Sequence, residues 1–452
     1  MSTAVSGRKF RNHLARTLTI AWPIVIAQGV GLSVIFVDTI MVGHAGRDEL
    51  ASLGAGRSLM LLFMVGGMGL LNGVLIFSAR YHGAGRLEDC GRMWRAGIVY
   101  AHALGLVGAF ILALGGGWLL TVLGVEEVVR EGGSRYLAFV APTVLFSAVG
   151  MASSLFLQGV SNPRPAMVIQ LGALPFNVFL NWIFIYGNLG APSMGAAGAA
   201  LATSIVSALA AAGLFLFVTR WPSLEPFRPR GRWRGMWAHG RAMRRFGVPV
   251  GAAGALEFFG MTALIMFAGQ IGALTVAAIE VAFNLHLLAF LVTIGVTSAT
   301  AVRVGNAVGR KDSGDVVWAV LAGIVLGIAS MVPFIIGYMM VPGSFVHIFI
   351  GEADVVALAT GLVIFIALAL PFDAVQMIML YSLRALGDQW ISSALQVFSF
   401  FVVMVVVGWV LAFGFGLGAV GLVIAMLVGV IVAAVLLSAR FALIHKRLTA
   451  FS

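Results

Sequence analysis

Charge is scarce in this chain. Asp, Glu, Lys and Arg make up 10% of its 452 residues, against 61% hydrophobic residues, whereas soluble domains carry about 25% charged residues. Too little polar surface exists to clothe a soluble globule. Lysine is rarer still: Lys9, Lys311 and Lys446 are the only three, and none stands in a G-x-x-x-x-G-K-[ST] phosphate loop, which excludes ATP hydrolysis as this chain's energy source. No connecting loop is long enough to hold a nucleotide-binding or catalytic domain. One cysteine, Cys90, excludes an intrachain disulfide. The eight histidines show no HExxH or paired spacing, so no structural or catalytic metal centre is indicated. No nucleophile, base and orienting partner can be assembled from the deep residues, and an enzyme is not expected.

What is present is a succession of apolar runs of about 20 residues, the length that crosses a ~30 Å hydrocarbon slab. Barrel strands read differently, as ~10-residue stretches of alternating polarity. The chain is therefore predicted to be an all-α integral membrane protein. Twelve spans fall at approximately 17 to 40, 51 to 79, 96 to 123, 135 to 158, 166 to 187, 195 to 219, 244 to 269, 275 to 302, 316 to 341, 355 to 384, 390 to 413 and 417 to 440. The basic start (Arg8, Lys9, Arg11, Arg16) leads into a run that continues to Asp38, longer than a signal-peptide core, and reads as an uncleaved first span.

Charge in the connections orients the spans. Of 28 Lys and Arg residues, only Arg47, Arg57, Arg130 and Arg135 lie on one side, and the other 24 fall in alternate connections. By the positive-inside rule both termini are expected to be cytoplasmic; the expected location is a bacterial inner (plasma) membrane. The formal charge of +11 is thereby explained by orientation and contact with anionic lipid, and nucleic-acid binding is not expected. The Arg-rich segment from Arg220 to Arg245 reads as an amphipathic linker with Trp221, Trp233 and Trp237 at headgroup level, and Arg57 as a side chain that snorkels to the outer interface.

The second half repeats the first at an offset near 226 residues: Pro23 meets Pro249, Gly43 meets Gly269, Ala51 meets Ala277 and Gly83 meets Gly309. Leu157-Gln158-Gly159 meets Leu383-Arg384-Ala385 at the same spacing. Each half holds six spans, an even number, so the copies share one orientation about an axis along the membrane normal. The expected organisation is two pseudo-symmetric six-helix lobes, residues 1–225 and 226–452, joined by the basic linker at about 220–245.

Four carboxylates, Asp38, Glu257, Glu280 and Asp373, sit inside apolar runs. An acid at bilayer depth costs roughly 2.5 to 3.5 kcal/mol on insertion scales, and persists where it binds something or lines a wet cavity. Asp38 is either a polar plug between helices or part of a pocket with Asn177 and Asn181, which share one helix face at i and i+4. Glu257 is followed by Phe258 and Phe259, and Asp373 follows Phe372; aromatic rings beside an acid hold lipophilic cations with about 0.5 to 2 kcal/mol of cation–π attraction. Met261, Met377 and Tyr381 lie at helical spacings from these acids. Glu257 and Asp373, with Tyr381, offer oxygen ligands for Na+; the same acids can carry a proton when desolvated. Glu280 belongs either to this cluster or to the outer interface.

These residues resemble the multidrug and toxic compound extrusion (MATE) family, particularly its NorM-type branch. The likeness rests on Pro23 followed by Val37-Asp38-Thr39-Ile40-Met41-Val42-Gly43, on Pro371-Phe372-Asp373, and on the two six-span lobes. Glu257 and Asp373 look like the acidic pair of that branch's second lobe, and Asp38 like the acid of its first. The extra acid at Glu280 departs from the pattern. The resemblance implies export of varied, often cationic, lipophilic small molecules in exchange for Na+ or H+, with no cofactor and no obligate protein partner. A flippase for lipid-linked precursors would require deep basic residues instead, and a cation channel would suit a symmetric acidic ring better than two unequal lobes.

Overall fold

The computed structural model of the protein describes residues 2–450, which are helical apart from short connections, with no strand among them. Twelve long helices carry the fold: α1 (Ser2–Ala45), α2 (Arg47–Gly83), α3 (Leu87–Val122), α4 (Glu127–Gly159), α5 (Arg164–Tyr186), α6 (Gly195–Arg220), α7 (Arg241–Ile271), α8 (Ala273–Gly309), α9 (Ser313–Met340), α10 (Ala353–Ala385), α11 (Gln389–Gly414) and α12 (Gly418–Ala450). Eleven of them are long and apolar enough, among the described residues, to cross a bilayer, and the 37-residue α2 is the twelfth. Helices are what such a sequence must form, because lipid offers no partner to a backbone N–H or C=O left unpaired. α11 departs from regularity, with π-helical turns at Phe398–Val403 and Val410–Gly414.

The helices gather into two compact units. One comprises residues 26–251, and the other residues 1–25 with 252–452. Against a division at residue 225, the compact units place residues 1–25 with the second half, and residues 226–251, the connecting segment and the start of α7, with the first. The first part of α1 belongs with α8 to α12, and the first part of α7 belongs with α2 to α6. Each change of membership comes two residues after a proline, Pro23 or Pro249.

Within each unit the packing scheme is the same. In residues 26–251, α4 is the central helix, touching α2, α3 and α6, while α5 packs on α6. In the other unit α10 takes that place against α8, α9 and α12. The helix swap repeats too: Gly69 of α2 meets the backbone of Gly251, and Gly295 of α8 meets Val25, with no room at either for a side-chain carbon. These contacts are equivalent at the 226-residue offset. So are the turns, since left-handed or glycine-only backbone recurs at Gly46 and Gly272 (φ 147° and 148°), Gly85 and Lys311, and Ser161 and Gly387. Gly46 and Gly272 open α2 and α8 in a region that a β-carbon excludes.

The segment between α6 and α7 is ordered against residues 26–251, through a 3₁₀ turn at Pro222–Phe227 and a short helix at Met236–His239. Trp233, expected at headgroup level, is turned partly inward. Its ring lies 5.8 Å from that of Trp94, a fully buried side chain.

Candidate functional site

In residues 26–251, Asp38 is 6% exposed and both of its oxygens accept hydrogen bonds. Asn181 Nδ2 donates to Oδ1 at 2.7 Å, and Thr203 Oγ1 donates to Oδ2 at 3.1 Å. Asn181 also donates to Asn177 Oδ1 at 3.1 Å, and Asn177 Nδ2 donates to Thr203 Oγ1 at 3.4 Å. α5 makes this possible because its i, i+4 asparagines stand one above the other on one face. A cation completes the group: Arg57 Nη2 lies 4.0 Å from Asp38 Oδ2, while its Nη1 donates to Thr39 Oγ1 at 2.8 Å. The snorkelling expected of Arg57 is thus corrected. Its side chain is only 14% exposed, and it supplies the opposite charge without which a buried carboxylate is strongly destabilising.

The other unit holds a cluster of different make-up. Asp373 is 3% exposed; its Oδ1 accepts from Gln376 Nε2 at 3.1 Å. His286 Nε2 stands 3.3 Å from Asp373 Oδ2, off the alignment a hydrogen bond needs, and both atoms lack a hydrogen-bond partner, as does Gln376 Oε1. Glu257 accepts from Gln396 Nε2 at 2.5 Å, and the same amide accepts from Arg384 Nη2 at 2.8 Å. Arg384 is 5% exposed, with its guanidinium 5.3 Å from the ring centre of Tyr381. The amide of Gln396 is therefore oriented by its two neighbours, oxygen toward the cation and nitrogen toward the acid. Glu257 is within Coulombic reach of Asp373, Arg384 and His286.

The remaining sequence-predicted residues scatter. Glu280 is exposed, its backbone oxygen accepts from Asn284 at 2.8 Å, and its carboxylate takes no part in the network of Glu257 and Asp373. Phe258, Phe259 and Phe372 are exposed at 48%, 52% and 41%. Met261 and Tyr381 are half-buried. Met377 is 7% exposed and lies one turn from Asp373 on α10. Sequence reasoning passed over Thr203, His286, Gln376 and Gln396, and assigned Arg57 and Arg384 to the loops or interfaces. Gln396 carried a usable signal, as a long amide inside the apolar run of 390–413. Gln376 was visible as a polar neighbour at i+3 of Asp373.

The two clusters differ in charge balance. Asp38 with Arg57 is formally neutral. Glu257 and Asp373 are two carboxyl groups facing one guanidinium, with the His286 imidazole 3.3 Å from Asp373 Oδ2; with both acids ionised and the imidazole neutral the formal count is one net negative charge. No group of three or more His, Cys, Asp or Glu residues is placed to hold a metal ion among the described residues.

The sequence profile of the MatE family matches the chain twice, over residues 23–183 and 249–410, two matches that begin at the repeat offset. A protein named "Probable multidrug resistance protein NorM" from Caulobacter vibrioides is 30% identical over 440 residues, covering 96% of this chain and 92% of that protein. Among solved structures, the "outward-facing conformation of a multidrug resistance MATE family transporter of the MOP superfamily" superposes with a TM-score of 0.88 at 18% identity, covering 96% of both chains. A eukaryotic MATE transporter superposes with a TM-score of 0.85 at 22% identity, again over 96% of both chains. At those identities the two structures bear on the fold.

Proposed function

The chain belongs to the MatE family, and from that premise we propose that it is a secondary active multidrug exporter, extruding lipophilic, often cationic compounds in exchange for Na+ or H+ by alternating access. It is a multi-pass membrane transporter, not an enzyme. The loop charge asymmetry favours a bacterial inner membrane with both termini in the cytoplasm.

The observation that carries the exchange reading is Asp373: deeply buried, with one oxygen that accepts no hydrogen bond, and paired with a second acid, Glu257, in a cluster holding a single guanidinium. A buried charge of this kind is costly, so the cluster favours whichever cation reaches it. An incoming ion takes that place. The outgoing compound competes for the same charge, with exposed Phe258, Phe259 and Phe372 offering apolar and cation–π contact. Competition makes the two fluxes exclusive, and the membrane potential contributes about 2.3 kcal/mol per charge per 100 mV to the inward ion. Asp38, already balanced by Arg57, suits a step that rearranges hydrogen bonds rather than one that captures an ion.

Proteoliposomes test this directly. Ethidium or norfloxacin efflux is followed with a Na+ gradient and a clamped pH, then with a pH gradient and no Na+. One gradient drives transport, and Asp373→Asn and Glu257→Gln abolish it while expression is kept. Efflux that needs neither gradient, or that survives both substitutions, removes the reading.

A further inference from the structure

The segment joining α6 to α7 is a built surface. Phe227 is 7% exposed and meets Phe156 edge-on at 5.8 Å. The Arg95 guanidinium donates to the Arg228 carbonyl. Farther on, the Tyr100 hydroxyl donates to the Trp237 carbonyl at 2.7 Å and the two rings stack at 4.4 Å. Trp233, partly turned toward Trp94, stands between Arg232 and Arg234, both exposed.

The outer face is basic and aromatic. Arg230, Arg232, Arg234, Arg241 and Arg245 are exposed and none forms an ion pair among the described residues, whereas Arg228 reaches Glu88 at 3.6 Å. Glu225 is the one acid between positions 220 and 245. Trp221 and Trp237 remain 53% and 52% exposed among them. We propose that this face is a binding surface for the headgroups of anionic phospholipids, gripping their phosphates with arginines and seating two tryptophans at the headgroup level.

Three arguments select a membrane surface over a soluble polyanion. The segment is strung between the ends of two membrane helices, α6 closing at Arg220 and α7 opening at Arg241, so its arginines are held at the bilayer boundary. Exposed tryptophans with one apolar and one polar edge settle at that boundary. Guanidinium forks match phosphate oxygens in pairs, which an ammonium cannot do. Because the segment is already ordered by buried anchors, binding sacrifices little conformational freedom.

Each basic residue close to an anionic surface is worth about fivefold in affinity. Neutralising three therefore weakens binding about a hundredfold. The test titrates the full-length protein in a neutral detergent with dioctanoyl phosphatidylglycerol, reading tryptophan fluorescence and thermal stability. Dioctanoyl phosphatidylcholine, inorganic phosphate and heparin are run in parallel. The expected result is saturable binding of phosphatidylglycerol over phosphatidylcholine and free phosphate, about a hundredfold weaker in R230Q/R232Q/R234Q, with the fluorescence response lost in W221F/W237F. An unliganded melting temperature equal to that of the parent shows that the triple variant is folded; R241Q/R245Q gives a second reading at the far end of the face. Equal binding of the two lipids, an unweakened triple variant, a response that survives W221F/W237F, or heparin binding without lipid binding each overturns the proposal.

Discussion

Replacing Asp373 by Asn separates charge from architecture. The asparagine keeps an oxygen where Oδ1 accepts from Gln376 at 3.1 Å, so the packing of α10 is expected to survive. What changes is the charge of the cluster, from one net negative to zero. A cation seated about 4 Å from the lost charge, at an effective dielectric of about 20, forfeits ~4 kcal/mol, which corresponds to roughly a thousandfold weaker binding. The measurement is the ion concentration that half-saturates ethidium efflux in proteoliposomes, taken for Na+ at fixed pH and for protons without Na+. The variant is expected to lose saturation with the driving ion over any attainable range while running as the parent does on size exclusion. Asp38→Asn supplies the contrast, since it alters a neutral pair and is expected to slow transport without moving the half-saturating concentration. A half-saturation point in Asp373→Asn within a factor of three of the parent would refute the charge argument.

Three further outcomes follow from the geometry. Arg57→Leu leaves the buried Asp38 without its cation and is expected to cost about 3 to 5 kcal/mol, with Asp38→Asn restoring part of it; a thermal-unfolding double-mutant cycle with no interaction energy would count against the pair. Gln396→Leu removes the donor to Glu257 and the acceptor of Arg384 together, and each charge-assisted bond is worth about 1.5 to 3 kcal/mol, so a clear fall in melting temperature is expected; an unchanged one contradicts the relay. Gly69→Val and Gly295→Val force a side chain onto the backbone of residue 251 or the side chain of Val25, and both are expected to lower the yield of folded protein, by more than Gly29→Val, whose surroundings are open.

Long features were legible in the sequence, and contacts across helices were not. Apolar length alone locates the spans, although α1 runs over residues 2–45 where the hydropathic run suggests 17 to 40, because a helix does not stop where hydrocarbon does. The i, i+4 spacing of Asn177 and Asn181 showed that they share a face, and the structure puts that face against Asp38. Thr203 was invisible by the same logic, since α6 offers several hydroxyls and only packing selects one. Arg384 and Arg57 were misplaced because positive charge was sorted by loop, a rule that holds for orientation and says nothing of a guanidinium near a helix end that folds back onto a buried acid. The exchange of half-helices between units had no sequence signal beyond the two prolines.

The 226-residue repeat is kept in the backbone and, apart from Gln396 meeting Gln170, abandoned in the chemistry. At that offset the partner of Asp38 is Leu264, which is fully buried, and those of Arg57, Asn177 and Asn181 are Phe283, Val403 and Val407. In the reverse direction Glu257, His286, Gln376 and Asp373 meet Gly31, Met60, Gly150 and Ser147. Turns and close helix contacts recur pair by pair, so a common scaffold does not force this divergence. A symmetric pair of acidic sites would have been the simplest product of duplication. Instead one unit keeps a balanced acid inside a hydrogen-bonded pocket and the other an unbalanced pair linked to an arginine through an amide. Under the proposed exchange, ion and compound compete at the unbalanced cluster, and the balanced one, with no residual charge to offer an ion, is left to rearrange its hydrogen bonds.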